Sequence, residues 1–152
     1  MDYVARYQKL IRELVNKSFP DLKGKKIYIN EKKINYRAHV SYFPWGMRII
    51  ISENLRSFSN IKVKRILIHE LCHLELFLKW GVVKTNLSFL FYLLSKKYSL
   101  DIEKEVNILM IKKGYGKYVL EARKENIKRK LDYSLTDKEI RDYIKQYHTK
   151  QK

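Results

Sequence analysis

Two histidines and a glutamate have the types and the spacing that could bind a metal ion and activate water. In ILIHELCHLEL, His69 and His73 stand four residues apart, and Glu70 follows His69 directly. On an α-helix four residues turn through about 400°, so both imidazoles point the same way, one turn apart. Both can then reach one tetrahedral Zn²⁺, while Glu70 lies about 100° round the helix, beside a metal-bound water. This H-E-x-x-H pattern predicts a zinc site.

The chemistry that these residues predict is hydrolysis at a carbonyl carbon. Zinc lowers the pKa of water toward about 7, Glu70 takes the proton, and the hydroxide attacks a polarised carbonyl. An exposed polar patch is the alternative, but the flanking residues are mostly apolar, which predicts a buried helix. Buried imidazoles and carboxylates need partners, so the flanks favour a metal site. We interpret Cys72, inside the motif, as a small core residue.

A third metal ligand has to come from elsewhere in the chain. A catalytic zinc site takes three protein ligands and keeps one position open. The continuation H-x-x-G-x-x-H is absent, because Leu76 and Lys79 stand at its glycine and third histidine. Glu75 projects about 200° away from His73 on a continuous helix. We therefore expect a carboxylate on a second helix, within residues 101–107.

That second helix resembles the glutamate helix of the gluzincins, zinc peptidases whose third ligand is a downstream glutamate. Many of them carry E-x-x-x-D there, and Glu103-Lys-Glu-Val-Asn107 matches with asparagine in place of aspartate. The resemblance implies Glu103 as the third ligand, and Asn107 as an acceptor for the outer N–H of His69 or His73. Glu105 stays a rival, about 200° from Glu103. Both carboxylates could instead face solvent beside lysines.

The elements expected around these residues define an α+β class. Apolar periodicity predicts a helix over 3–17, and alternation predicts three strands, with Pro44-Trp45-Gly46 as the turn between the last two. Asn60 is expected to cap the H-E-x-x-H helix and Gly81 to end it. Thr136 to Glu139 has the form of a capping box. The three strands are expected at 26–30, 34–43 and 47–52. Further helices are expected at 85–98, 101–113 and 117–131.

Over most of its length the chain resembles the minigluzincins, very small soluble archaeal peptidases similar to the cores of integral-membrane families. The resemblance implies one minimal zincin-like domain over 1–152 and an endopeptidase acting on peptide or protein substrates. An extended substrate would lie along the edge strand 36–43. His39, Tyr115 and Tyr118 are candidates to stabilise the developing oxyanion.

Some minigluzincin-like proteins are held latent by their own C-terminal segment. By this resemblance residues 133–152 could cover the cleft, and His148 could occupy the open zinc position. The motivation is a separately capped helix with no evident role in the core. A homo-oligomer formed through this segment is a further expectation.

Composition limits the remaining possibilities. The 152 residues include 33 Lys+Arg against 16 Asp+Glu, a formal charge of +17, so the alternative class is a basic nucleic-acid-associated or catalytically inactive zinc protein. A single cysteine suits a reducing compartment, and the charged N-terminus lacks a signal-peptide pattern, which together predict a cytoplasmic protein. The apolar run at residues 87–94 is too short to cross a bilayer, and we predict a buried helix there, with contact to a membrane surface as the alternative.

Overall fold

The computed structural model describes residues 2–35, 37–128 and 133–148, and it has the predicted α+β class. Helices make up about 71% of it, and it also contains a three-stranded sheet. The helices are α1 Tyr3–Ser18, α2 Asn60–Leu94, α3 Lys96–Lys112, α4 Gly116–Lys128 and α5 Asp137–His148. The strands are β1 Ile27–Lys32, β2 Ala38–Phe43 and β3 Gly46–Ser52, and short 3-10 turns cover Pro20–Leu22 and Glu53–Ser57.

The contacts within the chain define two compact units, Met1–Leu87 and Ser88–Lys152. In the first unit β3 is the central strand, parallel to β1 and antiparallel to β2. Ile49 of β3 pairs with Ile29 on one side and Val40 on the other, and all three side chains are buried. Helix α1 packs on β1 and buries Tyr7, Ile11, Leu14 and Val15. The strand predicted at the sheet edge, β2, is an edge strand within the described residues.

Helix α2 differs from the prediction in its capping residue and agrees with it at Gly81. It begins at Asn60, but Ser59 is the residue that caps it, with its hydroxyl accepting from the Lys62 amide at 3.4 Å. Gly81 ends the first helical segment as predicted: its φ of 75° and ψ of 169° are not helical, and a second helical segment continues to Leu94. Only glycine adopts this backbone region readily, so Gly81 is a kink between two helical segments.

The second unit is formed by the packing of α3, α4 and α5 on one another. Gly116 permits the close approach of α4 to α5, because a Cβ there would lie 2.5 Å from Cγ1 of Ile144. Leu135 and Ile140, at the start of the C-terminal segment, are 1% and 0% exposed. The expectation that this segment has no core role is therefore wrong for the residues described.

The prediction that residues 87–94 form a buried helix is correct about the helix and wrong about its burial. Large apolar side chains cover its outer surface, and their exposed fractions are 55% for Leu87, 47% for Phe89, 52% for Leu90, 53% for Phe91, 65% for Leu93 and 75% for Leu94. Among the residues that the structure describes, no helix is both long enough and apolar enough to cross a membrane.

Candidate metal centre

Helix α2 brings the two motif histidines together as their spacing predicts. The Nε2 atoms of His69 and His73 lie 3.2 Å apart, and the ring centroids are separated by 4.9 Å. Two nitrogens bound to one tetrahedral zinc at 2.0–2.1 Å would stand about 3.3 Å apart. The two Nε2 atoms are therefore at about the distance expected of two nitrogen ligands that bind one metal ion.

The helix around this pair is deeply buried, as its apolar flanks predict. Ile68, Leu71, Cys72 and Leu74 are each 0% exposed. Glu70 is 8% exposed and His73 is 7% exposed, whereas His69 is half-buried. Burial strengthens electrostatic interactions because few water molecules remain to screen them. A carboxylate and two imidazoles in such surroundings favour a cation.

The third predicted ligand belongs to the same cluster of donor atoms. One side-chain ligand atom each from His69, His73 and Glu103 lies within 4.8 Å of the other two, so this group could hold a metal ion. Across residues 2–35, 37–128 and 133–148, no other group of three or more His, Cys, Asp or Glu side chains meets that condition.

Helix α3 gives its two carboxylates different surroundings. Glu103 is half-buried, and its Oε1 accepts a hydrogen bond from the Tyr92 hydroxyl at 3.4 Å. Glu105 is exposed. The apolar residues Ile102, Val106 and Met110 of the same helix are buried. These surroundings favour Glu103 over its rival, since a ligand has to be held in place by its neighbours.

Tyr92 is a neighbour of Glu103 that the sequence pattern did not predict. It lies in the run LSFLFYLLS, whose composition predicts only an apolar segment. The available signal was its helical spacing from Ser88 and Ser95, because hydroxyl residues at i, i+4 and i+7 share one helix face. Its contact with Glu103 joins residues 11 positions apart on two different helices.

Asn107 is buried, and its side-chain amide is engaged within the second unit. Its Nδ2 donates to Ser134 Oγ at 3.0 Å, and its Oδ1 accepts from the Tyr133 hydroxyl at 3.3 Å. Asn107 thus ties α3 to the segment that leads into α5. The predicted hydrogen bond from a metal-binding histidine stays a prediction.

The remaining candidates are placed as follows. His39 lies on β2 and is half-buried. Tyr115 and Tyr118 stack on each other with their ring centroids 5.9 Å apart. Glu75, excluded as a ligand by its direction, forms an ion pair with Lys79 at 3.2 Å. The side chain of His148 and residues 149–152 lie outside the part of the chain that the structure describes.

Comparison of this chain with models of protein families, with curated proteins and with solved structures found no match in any of the three.

Proposed function

We propose that this chain is a zinc-dependent metallopeptidase in which His69, His73 and Glu103 hold the ion and Glu70 is the general base. The observation that carries the proposal is the 3.2 Å separation of the two Nε2 atoms on a buried helix. That separation is close to the distance between two ligands of one tetrahedral ion. Glu70, between the two histidines in sequence, is also buried.

The donor set fits zinc better than a harder cation. Two imidazole nitrogens and one carboxylate oxygen are donors that zinc accepts in open catalytic sites, where three protein ligands leave one position for water or substrate. Mg²⁺ and Ca²⁺ prefer sites made mostly of oxygen. Other imidazole-binding transition metals are distinguished from zinc by metal analysis.

Each residue would have a separate part in peptide hydrolysis. When bound, zinc supplies Lewis-acid chemistry, polarising a carbonyl group and making water more acidic. Glu70 would accept the proton of the attacking water and then pass it to the nitrogen of the leaving amine. The hydrogen bond from Tyr92 would hold the carboxylate of Glu103 in its orientation.

The sheet offers a place for an extended substrate. Strand β2 is bonded to β3 along one side and is an edge strand within the described residues. A peptide can add to such an edge through main-chain hydrogen bonds, which bind many sequences. Two features support a minimal zincin-like fold related to the minigluzincins. One is this edge strand, and the other is the order of helix, sheet, H-E-x-x-H helix and glutamate helix along the chain.

The proposal is tested with purified full chain and three substitutions. We expect about one zinc per chain by mass spectrometry, and cleavage of casein that a chelator removes. Glu70→Gln should keep the zinc and lower cleavage at least about a hundredfold, because only the base is lost. Glu103→Gln should lower zinc content, and Glu105→Gln, an exposed carboxylate on the same helix, is its matched control.

Two results would reject the proposal. Undiminished cleavage by Glu70→Gln would exclude the mechanism, and loss of zinc in Glu105→Gln but not in Glu103→Gln would exclude the ligand assignment. The alternative of a basic nucleic-acid-associated protein is supported by the charge of +17. It predicts tight, strongly salt-dependent DNA binding without peptidase activity.

A further inference from the structure

In the last turns of α2 the apolar residues face solvent and the polar residues face inward. This is the reverse of an ordinary surface helix. Ser88, Tyr92 and Ser95 lie within about 60° of one another around the helical axis. Phe89, Leu90, Phe91, Leu93 and Leu94 occupy the rest of the circumference, and each of these five is exposed by 47% or more. We call these five residues the outer apolar face. A water-facing helix normally turns its apolar stripe toward the core.

The polar side of this segment is fixed by hydrogen bonds within the second unit. Ser88 Oγ accepts from the Tyr98 hydroxyl at 2.8 Å, and Ser95 Oγ caps α3 by accepting from the Tyr98 amide at 3.2 Å. The Tyr92 hydroxyl donates to Glu103. Rotating the helix to bury its leucines would break these bonds and leave polar groups without partners, which costs free energy. The hydrogen bonds on the inner side therefore set the orientation of this helical segment.

The surroundings of the outer apolar face are basic. Lys96 and Lys97 follow it after Ser95, and both are exposed. Long basic side chains can stand at the boundary between headgroups and acyl chains, with the charge among the headgroups.

We propose that the outer apolar face binds the surface of an anionic lipid membrane, with this part of α2 lying in the plane of the interface. Apolar side chains along one side of a helix enter the acyl boundary, and neighbouring lysines pair with anionic headgroups. Charge complementarity selects this occupant over a second copy of the chain. Two copies would each bring a formal charge of +17 to the contact, and like charges oppose association.

The experiment measures co-sedimentation of the full chain with vesicles of phosphatidylcholine alone or mixed with phosphatidylserine. We expect binding to the mixed vesicles that is at least about tenfold stronger than to the neutral ones. The double variant Leu93→Gln/Leu94→Gln should weaken that binding about tenfold or more. Its matched control, Ile61→Gln/Ile127→Gln, removes two apolar side chains that are 64% and 53% exposed elsewhere, and it should bind as the original chain does.

A second pair of variants separates the local lysines from the overall charge. Lys96→Gln/Lys97→Gln and Lys124→Gln/Lys138→Gln each remove two exposed positive charges. We expect the first pair to weaken binding to mixed vesicles about tenfold and the second pair to weaken it less. Equal losses would show that net charge alone attracts the chain, and would overturn the proposal.

Two further results would also overturn it. One is binding that Leu93→Gln/Leu94→Gln leaves unchanged, because the apolar face would then make no contact with lipid. The other is a dimer, seen by light scattering without vesicle binding, that this variant dissociates, because a second copy would then cover the face. Circular dichroism of each variant checks that it is folded.

Discussion

The hydroxyl oxygen of Tyr92 lies 3.4 Å from Oε1 of Glu103, so a residue at the end of α2 supports the carboxylate proposed as the third metal ligand. Glu103 sits near the middle of α3 and Tyr92 three residues before Ser95, the cap of that helix. A donor in this position restricts the rotation of the carboxylate and lowers the conformational entropy that binding an ion has to remove.

The first prediction concerns that hydrogen bond. Tyr92→Phe should weaken zinc binding about tenfold, since loss of a residue that orients a ligand typically lowers metal affinity by that order. The measurement is a zinc titration against a competing chromophoric chelator. Tyr98→Phe is the control, because its hydroxyl bonds Ser88 instead of a candidate ligand. Equal affinities for Tyr92→Phe and the original chain would contradict a supporting role.

The second prediction is an acid-dependent loss of stability at the start of α5. Hydrogen bonds from the amide and hydroxyl of Thr136, with a further one from Lys104, lower the pKa of Glu139 from 4.5 to about 2. A carboxyl whose pKa is lower in the folded state stabilises that state above its unfolded pKa, and the contribution disappears as the pH falls from about 4.5 to about 2.

Glu139→Gln should therefore be less stable than the original chain at neutral pH and nearly equal to it near pH 2. The Glu139 side chain is 40% exposed, so solvent screening reduces the expected difference to about 1 kcal/mol. Urea unfolding at both pH values measures it. Glu105→Gln, at an exposed site on α3, should change stability little at either pH. A difference that persists at pH 2 would mean that the charge of Glu139 is not its source.

The third prediction tests the contact between α4 and α5. Gly116→Ala should destabilise the chain by about 1–3 kcal/mol, because the new Cβ meets Cγ1 of Ile144 at 2.5 Å and the helices have to shift. In an Ile144→Ala background the same substitution should cost clearly less, since the obstructing atoms are gone. A double-mutant cycle by chemical denaturation gives the coupling free energy. A coupling near zero would contradict the close approach.

The fourth prediction concerns the C-terminal segment. A chain ending at Tyr133 loses Leu135 and Ile140, which are 1% and 0% exposed, and with them the whole of α5. Removal of one such side chain costs about 2–5 kcal/mol, so α3 and α4 should lose their cooperative packing. Thermal unfolding followed by circular dichroism should give a much lower melting temperature. A truncated chain as stable as the original would contradict this core role.

Latency is therefore better tested by a single substitution in the full chain. If His148 blocks the proposed metal site, His148→Ala should cleave casein faster while its melting temperature is unchanged. Gln146→Ala, at an exposed position two residues earlier on the same helix, is the control. Equal cleavage by both variants and the original chain would remove the reason to propose latency.

Local patterns predicted most of the elements because their causes are local. The alternation in β1, the periodicity of α1 and the capping box at Thr136 depend on neighbouring residues, and all three are present. The pairing of His69 with His73 belongs to the same group, since helical geometry alone places their rings together. The cap of α2 was displaced by one residue because Ser59 and Asn60 are both good caps.

The errors arose where tertiary context overrides composition. The run at 87–94 was expected to be buried because it is apolar, yet the side it turns inward is set by Ser88, Tyr92 and Ser95. The position of a few hydroxyl groups was more informative there than mean hydropathy.

The complete burial of Cys72 has a practical consequence for the helix that carries the two histidines. Its side chain is 0% exposed, one residue before His73, so a thiol-modifying reagent can reach it only when this turn of α2 opens. The rate of alkylation of the chain's one cysteine would report the free energy of that opening. Because an ion held by the neighbouring imidazoles stabilises the closed helix, labelling should slow as metal is added.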